Sequence, residues 1–173
     1  ISLAEVTEVL RRLVRERVSV RDLKLIFESI SEFACRVGEV KNREEWLIRL
    51  HDAIRLTLSR AIVSAASYRG ETLRTFTLAL EVEEEFRSAV GLWQGPPSRP
   101  PLEPQIEESL RVNASRMFQP VIDRGLLPVV LVVPGEIRAG VHDFFRHHEF
   151  GQEWFTTVAY EELSSNVKAE RVG

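Results

Sequence analysis

The chain has 173 residues, a formal net charge of −3 and 44% hydrophobic residues. This hydrophobic fraction is typical of a chain that buries a core and argues against disorder. The acidic balance argues against a domain whose main task is to hold nucleic acid. The single cysteine, Cys35, excludes an internal disulfide, and the most apolar stretch, residues 126–133, is far shorter than the roughly 20 residues that a membrane helix needs. Because the chain begins at Ile1 without a leader of signal type, we interpret it as a piece of a longer protein.

Helical periodicity dominates the first part of the chain. Apolar spacing predicts helices over residues 3–18, 20–37 and from an asparagine cap at residue 42 to about residue 65. The predicted buried face of the second helix comprises Leu23, Ile26, Phe27, Ile30, Phe33 and Ala34. Residues 73–80 alternate like a strand, and a short helix with an acid-rich start, Glu83–Glu85, follows. Three helices and a small extended wing have the outline of a winged helix.

A proline-rich segment predicts the domain boundary. Five of the eight prolines fall between residues 94 and 104, and such a segment is extended and semi-rigid. We therefore expect an α+β protein with a helical, winged-helix-like subdomain over residues 1–94, a linker over 95–104 and a small α/β subdomain over 105–173.

The second part alternates between helix and strand. We predict a helix over residues 104–124, kinked or shortened by Pro120 and closed by Gly125, and a helix around residues 137–145. The predicted strands are residues 129–133, 154–160 and 167–172. The first is apolar throughout, as expected of a strand that is covered on both faces. Strand, helix and strand in this order favour a parallel pair joined by a crossover.

A sharp joint between the first two helices stands out at Arg15–Leu23. Ser19 is placed to cap the second helix, with Asp22 reaching back to it, and Val18 and Leu23 have the spacing of a hydrophobic staple. Two arginines before the joint and one after it predict positive charge on the outside of the corner.

The residue types that commonly act in catalysis or metal binding do not form a recognisable site in the sequence. His142, His147 and His148 are spaced by five and by one, so their side chains diverge and a solvated helix end is the better interpretation than a metal site. Cys35 has no companion motif and is expected to fill a small apolar space. The acids of residues 81–85 are interpreted as a solvated helix start. No phosphate-binding loop or nucleophile elbow occurs, so we expect neither catalysis nor a cofactor.

The basic corner allows three interpretations. Its charges could grip phosphates beside a helix-turn-helix, pair with acids on a neighbouring copy, or form a solvated face of little consequence. Acidic residues interleave with the basic ones and the chain is acidic overall, which weakens the first possibility. The candidate oligomer interface consists of Arg11, Arg15, Arg17, Arg21 and Asp22, with Arg12 and Lys24 beside them.

The sequence around this corner resembles a known protein family. The run Val9–Leu23, continued by Ile26-Phe27-Glu28, resembles the cytoplasmic domain of the type III secretion export gate, the flagellar/hypersensitive-response/invasion export-pore (FHIPEP) family. Further matching segments follow in order: an arginine-bounded helix end at 55–62, a strand with an acidic helix start at 78–83, a strand and turn at 128–138, the segment 158–163, and a final strand at 167–173.

The resemblance implies a structural and transport role. The chain would be the third and fourth cytoplasmic subdomains of the gate and part of a ring of nine copies at the cytoplasmic face of the bacterial inner membrane. It would meet export-apparatus proteins and chaperone–substrate complexes, and it would reach the membrane only through a transmembrane region outside this chain. The resemblance also implies that the first half builds the ring by contacts between neighbours.

Two other functions remain open from the residues. A winged-helix regulator would bind duplex DNA with a steep dependence on salt. A small-molecule enzyme would need a pocket at the carboxyl end of the strand at residues 129–133, and the scarcity of convergent polar residues after Pro134 weakens that possibility.

Overall fold

The computed structural model describes residues 1–37, 42–67, 72–92, 102–147, 155–164 and 167–171. Its helices are α1 (Leu3–Arg15), α2 (Leu23–Arg36), α3 (Arg43–Thr57), α4 (Ser59–Ala66), α5 (Leu80–Leu92), α6 (Pro104–Asp123) and α7 (Gly135–His147). Its strands are β1 (Leu73–Thr77), β2 (Val129–Val133), β3 (Phe155–Ala159) and β4 (Ala169–Arg171), and a 3₁₀ turn covers Tyr160–Glu162. The protein is thus α+β, as predicted.

The chain forms two compact units, Ile1–Ser64 and Ala65–Gly173. This division differs from the predicted one, because β1 and α5 belong to the second unit rather than to the helical first part. The reason is β1 itself: it pairs with β2 and β4 instead of forming a wing beside the helices. The predicted linker at residues 95–104 lies mostly outside the described residues.

In the first unit, α1 and α2 both pack against α3. Their shared core consists of Val9, Leu13, Ile26, Ile30, Leu47, Leu50 and Ile54. Asn42 caps α3 as predicted, because its side chain accepts hydrogen bonds from the backbone N–H groups of Glu44 (3.0 Å) and Glu45 (3.4 Å). The third predicted helix is divided at Leu58, between two hydroxyl-bearing residues of the kind that compete with helical hydrogen bonds.

A capping box opens α1. The Ser2 hydroxyl accepts a hydrogen bond from the Glu5 backbone N–H at 3.3 Å, and the Ser2 backbone N–H donates to Glu5 Oε2 at 2.6 Å. That backbone hydrogen bond is the main reason why the pKa of Glu5 is lowered. Such a cap stabilises a helix by about 1 kcal/mol.

In the second unit, the four strands form one parallel sheet in the order β3-β2-β1-β4. Every residue of β2 is buried, and β2, α7 and β3 form the predicted parallel pair with its helical connection. The core contains a cluster of aromatic rings, Phe76, Phe86, Phe118, Phe144, Phe145 and Phe155. Edge-to-face packing between several of these rings adds to the stability gained by burying them.

The end of α6 follows the prediction closely. The helix continues through Pro120 to Asp123, so the proline does not shorten it. Gly125 then has φ +64°, its N–H donates to the Ile122 carbonyl at 2.9 Å, and the Leu126 N–H donates to the Val121 carbonyl at 3.0 Å. This pair of hydrogen bonds is a Schellman closure, in which a glycine takes the left-handed position at no steric cost.

Candidate interaction surface

The corner between α1 and α2 is closed by the same backbone motif as α6. The Arg17 N–H donates to the Val14 carbonyl at 3.0 Å, and the Val18 N–H donates to the Leu13 carbonyl at 2.8 Å. Arg17 occupies the left-handed position with φ +60°. A residue with a Cβ is strained there by about 1–2 kcal/mol, so the corner holds an arginine where a glycine would be more stable.

The start of α2 differs from the prediction. Asp22 is the N-cap: its carboxylate accepts a hydrogen bond from the Leu25 N–H at 3.0 Å, and the helix begins at Leu23 instead of Val20. The Ser19 hydroxyl accepts a bond from the Arg21 N–H at 3.4 Å within the turn before the helix. Aspartate is as good a cap as serine, so the sequence offers two possible helix starts. The structure uses the later one.

The predicted hydrophobic staple is absent for the same reason. Val18 is buried, but Leu23, now the first residue of the helix, is 47% exposed. Phe27, one turn further along α2, is 46% exposed, and Ala34 is exposed as well. The prediction that these three side chains are buried was wrong, because only the narrower face around Ile26 and Ile30 packs in the core.

The candidate interface residues separate into three groups. Arg11, Arg17 and Arg21 are exposed, and within the described ranges their guanidinium groups form no ion pair or hydrogen bond. Arg15 is half-buried and has contacts of its own. Asp22 is exposed, but its carboxylate is engaged as the helix cap.

Two neighbouring basic residues have internal partners. Arg12 donates to Glu8 Oε1 at 3.1 Å and to Glu44 Oε1 at 2.7 Å, so it ties α1 to the start of α3. Lys24 lies 3.7 Å from Glu28 on the same helix face. Arg12 therefore serves the fold of the first unit, and the positive charge that the corner offers comes from the other arginines.

A buried polar cluster lies behind the corner. Glu16, the C-cap residue of α1, accepts a hydrogen bond at 2.8 Å from Nη1 of Arg55 on α3. Nε2 of His51 lies 3.6 Å from the same carboxylate oxygen, Oε2. The Arg55 side chain is 1% exposed and that of Glu16 8%. Sequence reasoning missed this cluster, since Glu16 and Arg55 are 39 residues apart and nothing local to either one signals the pairing.

We define the corner surface as Arg11, Arg17, Arg21, Leu23 and Phe27. It combines three exposed guanidinium groups with two exposed apolar side chains one helical turn apart. Arginine and aromatic residues are enriched among the residues that carry the binding energy of protein interfaces. The arrangement suits contact with a protein face that bears carboxylates and apolar groups.

The prediction that the clustered histidines lie at a solvated helix end holds for only part of the cluster. His142 is buried, and its Nδ1 lies 3.2 Å from the hydroxyl oxygen of Thr157 on β3. Asp143 is also buried, whereas His147 is exposed with Nδ1 2.7 Å from the Asp143 carbonyl oxygen. His148 falls outside the described residues. Among those that the structure describes, no three potential ligands lie close enough to hold a metal ion.

Two further sequence expectations need correction. Cys35 is exposed, because it lies on the solvent side of α2 rather than in its core face. Glu83 in the acidic start of α5 is buried, and its Oε1 accepts a hydrogen bond from the Tyr160 hydroxyl at 3.4 Å. Burial, followed by the nearby Glu83 charge, raises the pKa of Tyr160.

Side chains of the second unit occupy part of the carboxyl edge of the sheet. A Cβ added at Gly135, the first residue of α7, would lie 3.1 Å from Oε2 of Glu161. That carboxylate thus stands where a helix N-terminus would attract an anion. Arg87 of α5 pairs with Glu136 across the same edge. This arrangement gives no support to a small-molecule site after β2.

No helix within the described ranges is both long enough and apolar enough to cross a bilayer. The winged-helix alternative also loses its basis, since β1 lies inside a parallel sheet and contributes no wing.

Comparison with known proteins gives a consistent result. The model of the FHIPEP family matches residues 1–168. The low calcium response locus protein D of Yersinia pestis is 27% identical over 173 residues, which are 100% of this chain and 23% of that protein. The chain therefore spans about a quarter of the length of this curated relative.

Solved structures show the same fold. The nonameric EscV cytosolic domain from the type III secretion system superposes with a TM-score of 0.74 at 20% identity, covering 99% of this chain and 48% of that one. The Chlamydia pneumoniae CdsV protein, solved in complex with CdsO, gives a TM-score of 0.75 at 24% identity and covers 100% of this chain and 46% of that one. Given the family match over nearly its whole length, the chain belongs to the FHIPEP family.

Proposed function

We propose that this chain is a ring-building part of the cytosolic portion of a type III secretion export gate. Membership of the FHIPEP family supports this role. The EscV cytosolic domain, which shares the fold, is a nonamer. In this proposal the chain joins copies of itself into a ring at the cytoplasmic face of the bacterial inner membrane, and the membrane is reached through a region outside the 173 residues.

The corner surface is proposed as one of the two ring contacts. A closed ring of head-to-tail contacts needs two different, complementary faces on each copy. The observation that carries the assignment is the left-handed Arg17, which presents an exposed guanidinium from a strained backbone. Leu23 and Phe27 at the start of α2 add exposed apolar area, while the charges would set the orientation of the neighbour.

The remaining partners follow from the proposed role. Apparatus proteins are supported by the solved complex between CdsV and CdsO. Export substrates and their chaperones complete the proposal, and their docking would serve translocation rather than chemistry.

The test is self-association of Arg17→Glu/Arg21→Glu, measured by sedimentation velocity over a wide concentration range. Both residues are exposed, so reversal of their charges should leave the fold of the first unit intact. Repulsion from an acidic neighbouring face should shift association to roughly tenfold higher concentration or more, as expected for charged contacts at an interface. The effect should shrink at high salt.

The matched control is Arg36→Glu/Arg49→Glu, which makes the same change in net charge. Arg36 closes the far end of α2 and Arg49 lies on α3, where each pairs with a glutamate one turn away. The control should associate like the unmodified chain. Equal loss in both variants, or a chain that stays monomeric at every concentration, would overturn the assignment of the corner surface.

A further inference from the structure

The buried pair Glu16–Arg55 does not owe its place to stability alone. Removing two charges from water costs several kcal/mol per ion, and replacing such pairs by apolar groups of similar volume is often neutral or stabilising. Arg55 is nevertheless enclosed to 99% and reaches Oε2 of Glu16 at 2.8 Å. The guanidinium is planar with donors in fixed directions. What the pair provides is a defined position for the Glu16 side chain.

That position matters because of the next residue. Glu16 is the C-cap of α1 with φ −89° and ψ 12°, and Arg17 follows it in the left-handed region. With the Glu16 carboxylate anchored inward on α3, the chain reverses at Arg17 and the Arg17 side chain is exposed. The strain at Arg17 persists only if the surrounding structure over-determines the backbone, and the anchored Glu16 supplies that constraint.

We propose that Arg55 is a positioning residue for self-association. Its hydrogen bond to Glu16 holds the closure at Leu13–Val18, and this closure presents Arg17 to the neighbouring copy. The inference rests on the proposed function for its biological meaning, but the effect of Arg55 on the closure is measurable without any assembly.

The first experiment removes the pair without leaving a lone buried charge. Glu16→Gln/Arg55→Met keeps the side-chain sizes similar and leaves an amide facing His51. The matched control is Glu45→Gln/Arg49→Gln, which removes an ion pair of 2.6 Å on the exposed face of α3. Urea unfolding reports whether each variant is folded as stably as the unmodified chain.

The decisive readout is hydrogen exchange of the Val18 amide, which donates to the Leu13 carbonyl at 2.8 Å. The Leu58 amide, which donates to Ile54 at 2.9 Å within the same unit, serves as the reference. In the pair variant, exchange of Val18 relative to Leu58 should rise roughly tenfold, because opening of the corner becomes a local event. Self-association should shift to higher concentration by a similar factor. The control should change neither quantity.

A second variant guards against a failure to fold. Arg55→Lys keeps a positive charge near Glu16 but loses the planar fork, so it should stay folded and still raise the relative exchange of Val18. Unchanged relative exchange in both variants overturns the inference. The same holds if exchange rises but self-association is unaffected while Arg17→Glu/Arg21→Glu weakens it. If that arginine variant itself associates normally, the assignment of the corner surface as a ring contact fails, whatever Val18 shows.

Discussion

Two helix ends in this protein share one backbone closure but differ in the residue at its strained position. At the end of α6 that position is Gly125 with φ +64°, and at the end of α1 it is Arg17 with φ +60°. The hydrogen bonds are equivalent, with lengths of 2.9 and 3.0 Å in the first case and 3.0 and 2.8 Å in the second. Glycine adopts this conformation freely, whereas arginine is strained. The α6 end is therefore free of this strain, whereas the α1 end keeps a side chain at a cost in stability.

The side chains around the left-handed position also differ between the two helix ends. A Cβ at Gly125 would meet nothing within 4 Å, so the left-handed position at the α6 end has no close side-chain neighbour. The α1 end is backed by the buried group of Glu16, Arg55 and His51. A strained closure needs this support, and an unstrained one does not.

The largest expected effect comes from removing that support. Arg55→Ala leaves the Glu16 carboxylate buried without its guanidinium partner, and the free energy of unfolding should fall by about 3–5 kcal/mol. Urea denaturation followed by circular dichroism measures this. A loss no larger than that of Arg49→Ala, which removes an exposed arginine from the same helix, would contradict the role given to the buried pair.

The next effect tests the glycine end. Gly125→Ala should lower the free energy of unfolding by about 1 kcal/mol, because alanine is strained at positive φ although there is room for its Cβ. Thermal unfolding gives the value. Since the site has no steric neighbour, a gain in stability would show that the closure at α6 relaxes away from φ +64°.

A smaller effect on stability is expected from the contact between Tyr160 and Glu83 in the second unit. Tyr160→Phe removes a 3.4 Å hydrogen bond to Glu83 and should cost about 0.5 kcal/mol at neutral pH. Because the pKa of Tyr160 is raised above its ordinary value of 10.0, the folded state holds this proton longer than the unfolded state. The free energy of unfolding should therefore fall as pH rises from about 10 through the folded-state pKa, and the variant should lack this part of the fall.

Absorbance of the phenolate near neutral and alkaline pH follows the titration directly. The chain has two tyrosines, so Tyr160→Phe leaves Tyr68 as the reference. The difference between the two titration curves should have its midpoint above 10.0. A midpoint at or below that value would contradict the half-buried contact with Glu83.

The smallest effect has the opposite sign. Arg17→Gly should raise the free energy of unfolding by about 0.5 kcal/mol, since relief of the left-handed strain exceeds the added entropy of the unfolded glycine only slightly. Thermal unfolding of the monomer at low concentration measures it. A clear loss of stability would mean that Arg17 makes contacts that outweigh its strain.

The pair of helix ends also shows what the sequence can reveal. The closure at α6 was predictable, because glycine after a helix is its usual signal. The closure at α1 was not, because arginine carries no such signal and the Glu16–Arg55 pair links residues 39 apart. The same limit explains β1: its alternation predicted a strand, but its partners β2 and β4 lie far along the chain.

The candidate surface was predicted in part. Charge patterning identified the exposed Arg11, Arg17 and Arg21, which form its polar part. Leu23 and Phe27 were assigned to the core, because apolar residues at helical spacing do not reveal how wide a face is actually buried. The choice between Ser19 and Asp22 as cap decided where that face begins.

Self-association of Arg17→Gly, compared with the unmodified chain by sedimentation velocity, tests most directly whether the left-handed arginine serves assembly. We expect a monomer that is slightly more stable and yet associates only at higher concentration, because the proposed role of the strained arginine is to contact the neighbouring copy rather than to stabilise its own fold. A variant that is more stable and associates as well as the unmodified chain would contradict this expectation. It would mean that Arg17 has no role in self-association.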